Sequence, residues 1–248
     1  MSNTKTPIDA KDLEKATGGN YIAGTAGSDS IMRNDHSSYA VDAGAGADHV
    51  SLGSGNDFVN AGDGNDNVHT GGGNDVVLAG AGNDHVEAGS GNDHVEGNAG
   101  DDVLMGNAGN DGLFGGEGRD TLMGGAGQDH IEGGAGNDSI IGADGDGARD
   151  QSFGGEGNDS FNWSPGSGSD SFDGGNGQDR VSLMGMSASD VANAMGANGA
   201  NYNGVQVHVS GNQLSFTDSQ GNPASFNGHI QVGGETLQLF NVERVTTH

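Results

Sequence analysis

Through the middle of the chain one aliphatic residue returns at every ninth position, and polar residues and glycine fill the intervals. In order it reads Val50, Val59, Val68, Val77, Val86, Val95, Leu104, Leu113, Leu122, Ile131 and Ile140. Two residues ahead of each stands an aspartate: Asp48, Asp57, Asp66, Asp75, Asp84, Asp93, Asp102, Asp111, Asp120, Asp129 and Asp138. Two residues ahead of each aspartate stands a glycine: Gly46, Gly55, Gly64, Gly73, Gly82, Gly91, Gly100, Gly109, Gly118, Gly127 and Gly136. With the aspartate numbered as position 6, glycine holds position 4 and the aliphatic residue position 8. Position 2 is also glycine, at Gly44, Gly53, Gly62, Gly71, Gly80, Gly89, Gly116, Gly125 and Gly134, and is Asn98 and Asn107 in the other two units. Asn is the non-glycine residue that best tolerates positive φ, so position 2 is read as a backbone requirement.

A nine-residue unit is too short for a helix with a crossover. It divides into a six-residue turn, positions 1–6, and a three-residue strand, positions 7–9. Glycine at positions 2 and 4 supplies turn dihedrals that a Cβ forbids. Alternation in the strand points position 8 inward and positions 7 and 9 outward. Two units then make one coil of a parallel solenoid whose strands stack into two facing sheets. The core of such a coil is thin. Burying one aliphatic side chain contributes roughly 1.5–3 kcal/mol, whereas ordering each of the nine residues costs about 1–2 kcal/mol.

The aspartates indicate what offsets that deficit. Units n and n+2 lie one strand spacing apart, about 4.8 Å, so bare carboxylates in a column repel one another. A hard divalent cation between coils turns that repulsion into ligation. Ca2+ accepts 6–8 oxygens from carboxylates and carbonyls, while Mg2+ demands octahedral geometry and keeps its water. The unit as a whole, G-G-x-G-x-D-x-U-x, resembles the nonapeptide repeat of the RTX (repeats-in-toxin) family over residues 20–182. The resemblance implies an all-β fold, a right-handed parallel β-roll solenoid with a small C-terminal β-rich cap. It implies that each ion sits between turns n and n+2, held by the position-6 aspartates and by turn carbonyls of both, those of the position-2 and position-4 glycines. Eleven unbroken units give about nine such ions, with more in the flanks.

The flanks carry degraded copies. Asp29 and Ile31 form one unit upstream, and Asn20 takes the aspartate place in another. Residues 33–42 replace a unit and slip the register by one. Downstream the spacing stretches to Asp150, returns to nine at Asp159, stretches to Asp170 and returns at Asp179. These slips predict irregular last turns, and Asp29, Asp159, Asp170 and Asp179 join the candidate metal ligands. Beyond residue 182 the period is lost. Residues 187–195 read as a short helix with Ser187 or Ser189 as N-cap, and alternating segments from 205 to 245 read as a small antiparallel meander. The expected organisation is therefore residues 1–19 as a flexible segment or leader, 20–182 as the roll, and 183–248 as a cap.

Composition sharpens this picture. Only 42 of the 248 residues are Leu, Ile, Val or Phe, and the net charge is −27, the profile of a chain disordered without further help. Zero Cys excludes disulfides and thiolate metal sites. No apolar run reaches membrane-helix length, and so acidic a chain is a poor partner for nucleic acid. The first residues lack the apolar core of a Sec signal. The resemblance implies a C-terminal signal for one-step type I export, with the type I secretion apparatus as partner. Ile8, Asp12, Leu13, Ala16, Gly18 and Gly19 also resemble a double-glycine leader, cut after Gly19, although Gly18 and Gly19 equally suit a degraded repeat.

Other chemistry is poorly supported. His85, Glu87 and His69 are the one outward trio whose spacing lets zinc ligands approach. Asn recurs at position 5 without the Thr rows of ice-binding relatives. No catalytic motif stands in a suitable context. Met105, Met123 and Ile141 form an outward apolar stripe, read as the docking face of the C-terminal segment. The expected function is a secreted, non-catalytic protein that folds on binding several Ca2+ outside the cell. The alternatives are a bacteriocin-like or toxin effector, or a surface adhesin with a cell-surface or matrix partner.

Overall fold

A computed structural model describes residues 20–142, 145–194, 206–232 and 234–248. Among the described residues twenty-three strands, β1 to β23 in chain order, form two sheets, and a short helix, α1 (Ala188–Ala194), precedes the last five strands. The odd strands β1 (Tyr21–Thr25) through β17 (Ser171–Asn176) stack in chain order in the first sheet, and the even strands β2 (Ser30–Met32) through β18 (Arg180–Leu183) in the second. Every neighbouring pair within these stacks is parallel. From β4 (His49–Ser51) and β5 (Phe58–Asp63) to β14 (Ser139–Ile141) each residue faces the one eighteen positions on, as in Val77 against Val95 and Val86 against Leu104. Two nine-residue units therefore make one coil, and the solenoid runs for about nine turns.

The division within a unit differs from the expected one. Strands such as β7 (Val76–Ala81), β8 (His85–Ser90) and β9 (His94–Ala99) are six residues long and the turns between them three. Each strand covers positions 7–9 and continues through positions 1–3 of the next unit. Pairing skips position 1, where the strand bends, and resumes at position 2, as Gly80 against Asn98. Position 1 consequently faces inward as well. Ala43, Ala61, Ala79 and Ala88 add methyl groups to the core there, and glycine takes over from Gly97 to Gly133. Positive φ at position 2 accompanies the bend: Gly62 has φ +109°, and the two exceptions Asn98 and Asn107 adopt +75° and +74°. A Cβ on Gly62 or Gly64 would collide with the carbonyl oxygen of Gly44 or Gly46 in the coil before.

The apolar position-8 side chains from Ile31 to Val181 are buried in one core, with Ile22 partly buried against it. It widens toward the C-terminal end, where the stacked rings of Phe161 and Phe172 lie 4.9 Å apart beside buried Trp163. At the unit of Asp150 the inward residue is Ser152, and Phe153 points outward.

The C-terminal segment is not an independent meander. It contains two antiparallel parts, one continuing each sheet. β22 (Glu235–Val242) pairs parallel with β17 and antiparallel with β21 (Phe226–Val232). β23 (Arg244–Thr247) pairs parallel with β18 and antiparallel with β20 (Gln213–Thr217), which carries β19 (Gln206–Ser210). Both open edges at this end of the roll are thus extended by non-repeat strands. Met105, Met123 and Ile141 remain half-buried on the outer face of the second sheet, and the C-terminal strands lie at the sheet end rather than along them. The helix starts as expected, with Ser187 Oγ accepting the N–H of Asp190 at 3.2 Å. Among the described residues no helix is long and apolar enough to cross a membrane. The leader reading of residues 1–19 lies outside the described residues.

Candidate metal centre

The position-6 aspartates occupy the three-residue turns, so they form two columns, one on each flank of the roll. The first column, where the chain passes from the first sheet to the second, holds Asp29, Asp48, Asp66, Asp84, Asp102, Asp120, Asp138, Asp159 and Asp179. The second holds Asp57, Asp75, Asp93, Asp111, Asp129, Asp150 and Asp170. From Asp48 onward all are between 0 and 4 % exposed. Both columns are laced by one repeated bond. The backbone N–H of each aspartate from Asp29 to Asp159 donates to Oδ1 of the aspartate one coil on, at 2.8 Å from Asp48 to Asp66 and 2.8 Å from Asp93 to Asp111.

That lacing passes through the sequence slips. Asp129 donates to Asp150, Asp138 to Asp159, Asp150 to Asp170 and Asp159 to Asp179, all at 2.8–2.9 Å. The extra residues fall between β14 and Asp150 and between β16 (Ser160–Trp163) and Asp170, outside the ladder. Asp150 therefore belongs to the column. Its twelve-residue spacing and the serine at its position 8 left it out of the candidate ligands. At the other end Tyr39 takes a position-6 place. Its N–H donates to Asp57 Oδ1 at 2.7 Å, and its hydroxyl donates to Asp35.

The second carboxylate oxygen sets the chemistry. Oδ2 of Asp48, Asp57, Asp66, Asp75, Asp84, Asp93, Asp102, Asp111, Asp120, Asp138, Asp159 and Asp179 is buried with no hydrogen-bond partner. Other oxygens surround these atoms. A Cβ added to Gly97 would lie 2.5 Å from Asp102 Oδ2 and 2.6 Å from the Gly115 carbonyl oxygen, so both acceptors converge on one point without a donor between them. Buried acceptors without donors are costly as anions, and the carboxyls respond. Burial first, then neighbouring carboxylates, pushes Asp57, Asp120 and Asp159 up to about 7, against the lowering effect of the N–H each accepts. Burial likewise raises Asp84, Asp93, Asp111 and Asp179 to about 6. A column of buried anionic oxygens beside backbone carbonyls fits a hard divalent cation with oxygen ligands.

Two sequence candidates stand apart. Asp29 is only half-buried, and its Oδ2 accepts the N–H and hydroxyl of Thr25 at 2.6 and 2.9 Å. Asp170 Oδ2 accepts the indole N–H of Trp163 at 2.7 Å. Protein donors thus meet in these two residues the oxygen that is without a partner in the twelve aspartates named above.

This arrangement, an aspartate column on glycine-rich turns, coincides with a family match. The family model of the RTX calcium-binding nonapeptide repeat matches four times, at residues 42–77, 78–113, 114–148 and 166–183, just over half of the chain. The chain belongs to the RTX calcium-binding repeat family. Its β-roll is thereby a calcium-binding one, and Ca2+ is the cation that the columns suit. A search of curated proteins found no match. Outside the four matches, the segment from residue 184 onward extends both sheets of the RTX roll without repeating its motif.

The remaining outward groups are structural neighbours of the roll. Glu87 lies 3.4 Å from His69 Nδ1 and 3.5 Å from His85 Nε2, so the expected trio does approach. Among the described residues, however, no group of three or more His, Cys, Asp or Glu side chains is arranged to hold a metal ion, neither this trio nor the columns, so the columns depend on backbone carbonyls for their further ligands. Asn at position 5 builds an exposed ladder of its own, in which the N–H of Asn74 donates to Asn56 Oδ1 at 2.9 Å and that of Asn92 to Asn74 Oδ1 at 2.8 Å. The turns are thus stapled twice per coil, once on the buried side and once in solvent.

Proposed function

We propose that this RTX chain is a secreted, non-catalytic protein whose roll folds when Ca2+ fills the two aspartate columns outside the cell. The observation that carries the reading is the row of buried Oδ2 atoms without donors. The ligand set is the position-6 aspartates from Asp48 to Asp159 in the first column and from Asp57 to Asp150 in the second, with carbonyls of their turns. Asp179 also belongs to the first column, whereas Asp29 and Asp170, already met by Thr25 and Trp163, close the columns. Bound cations neutralise the carboxylates and bridge successive coils, and a ligand that binds only the folded state stabilises it by mass action. Where free Ca2+ is scarce, inside a cell, the columns repel and the chain stays extended enough to pass a type I secretion apparatus. Where Ca2+ reaches the ~10⁻⁴–10⁻³ M range of extracellular modules, the roll orders. In this organisation residues 20–182 are the switchable roll and 183–248 the cap and export signal. The charge balance supports it, since nine divalent ions would offset about two thirds of the net charge of −27.

Native mass spectrometry of the intact chain at millimolar Ca2+ tests the reading. About nine ions or more are expected to bind. A chain that binds none, or only one or two, contradicts it.

A further inference from the structure

The C-terminal segment rebuilds a rung of the ladder from residues outside the repeats. β22 continues the first sheet beyond β17, β23 continues the second beyond β18, and Glu243 lies between them, where a position-6 aspartate lies between β17 and β18. Asp179 N–H donates to Glu243 Oε2 at 2.6 Å, the bond that each earlier aspartate makes to the next coil. Arg244 N–H donates to the Asp179 carbonyl at 3.0 Å, as Arg180 N–H does to the Asp159 carbonyl at 2.9 Å.

The oxygens around the rung are equivalent too. A Cβ on Gly154 would fall against Asp159 Oδ2 and the Gly174 carbonyl, and a Cβ on Gly174 would fall against Asp179 Oδ2 and the Asn241 carbonyl. Asn241 thus stands in for the next position-1 residue. Asp179 is fully buried and its Oδ2 has no partner. Glu243 Oε1 accepts the Ser225 hydroxyl at 2.6 Å, which fixes the carboxylate from the chain just before β21. A cavity of about 520 Å³ opens onto Asp159, Asp179 and Glu243, with Arg180 and Arg244 also in its wall.

We propose that Asp179 Oδ2 and the Asn241 carbonyl form a further Ca2+ site, the last of the first column, built jointly by the roll and the C-terminal segment, with the Glu243 carboxylate, held by the Asp179 N–H and the Ser225 hydroxyl, as the neighbouring anion that favours the cation. It rests on the calcium reading of the columns. Filling it ties strands β22 and β23 to the roll, so docking of the segment depends on Ca2+ as the coils do.

The test compares the intact protein with Glu243→Gln, which keeps an acceptor for the Asp179 N–H and removes the charge. At saturating Ca2+ native mass spectrometry is expected to count one ion fewer in the variant and the remaining ions unchanged. An equal count at equal affinity overturns the site and leaves Glu243 as a hydrogen-bonding cap. A wild-type chain without bound Ca2+ overturns the underlying reading instead. Hydrogen exchange of the wild type covers the case of a variant that fails to fold. Amides of β22 and β23 are expected to gain protection with those of β17 and β18 as Ca2+ rises, and full protection of β22 and β23 in chelator, with the roll unprotected, overturns the proposal.

Discussion

At the scale of the residue, two oxygens of one carboxylate have different duties. Oδ1 accepts an N–H from the preceding coil and sets the stacking distance, and Oδ2 is left for a cation. Asn at the same place keeps an oxygen for the N–H and replaces the anionic oxygen with an amide. Asp102→Asn should therefore retain the roll but weaken the ions on either side of it. A loss of about 1.4 kcal/mol would raise the Ca2+ midpoint tenfold. Asp170 gives the contrast, because its Oδ2 is held by the Trp163 indole. Asp170→Asn should lower stability without lowering the ion count, and native mass spectrometry separates the two effects. A fall in ion count for Asp170→Asn would place a cation at that rung after all. Much at this scale was legible from the nine-residue period alone, including the aspartates, the inward aliphatic row and the positive φ of Asn98 and Asn107. The Trp163 contact was not, since six residues of irregular loop separate donor from acceptor.

At the scale of the element, the unit is a six-residue strand and a three-residue turn. The glycines at positions 2 and 4 hid this from the sequence reading, because they suggest one long turn, whereas the structure uses the positive φ at position 2 to bend a strand whose small position-1 residue packs on the core. The irregular units were misjudged for a related reason. Spacing counts residues along the chain, but the ladder counts hydrogen bonds, and loops at Asp150 and Asp170 absorb the excess. The column itself is the unit that responds to pH. Burial raises several ladder carboxyls, Asp57, Asp84 and Asp120 among them, from 3.8 to about 6 or 7 in the folded, ion-free roll. A raised group contributes stability that is fully present below its unfolded value and lost as pH rises through the folded value. In chelator, therefore, acidification from pH 8 toward pH 4 should increase the β content of the chain, the gain falling between about 7 and 4. Circular dichroism would detect it, and β content that falls steadily over that window would contradict the burial of the column. With Ca2+ present the sign reverses, because protons compete with the cation for the same oxygens.

At the scale of the whole molecule, the acidic, aliphatic-poor composition and the ordered solenoid describe two states of one chain. A single position-8 side chain per unit cannot by itself offset the entropy of nine ordered residues. The RTX match, the register of eighteen residues per coil and the capped sheet ends all belong to the folded state. The C-terminal rung was beyond sequence reading because Glu243 reaches Asp179 across 64 residues and carries no repeat motif. The central claim is that cations select the folded state. Far-UV circular dichroism of the chelator-treated protein at neutral pH, followed as Ca2+ is added, tests it most directly. The account predicts a largely disordered spectrum in chelator and a cooperative rise of β signal with Ca2+. A full β signal already present in excess chelator would contradict it.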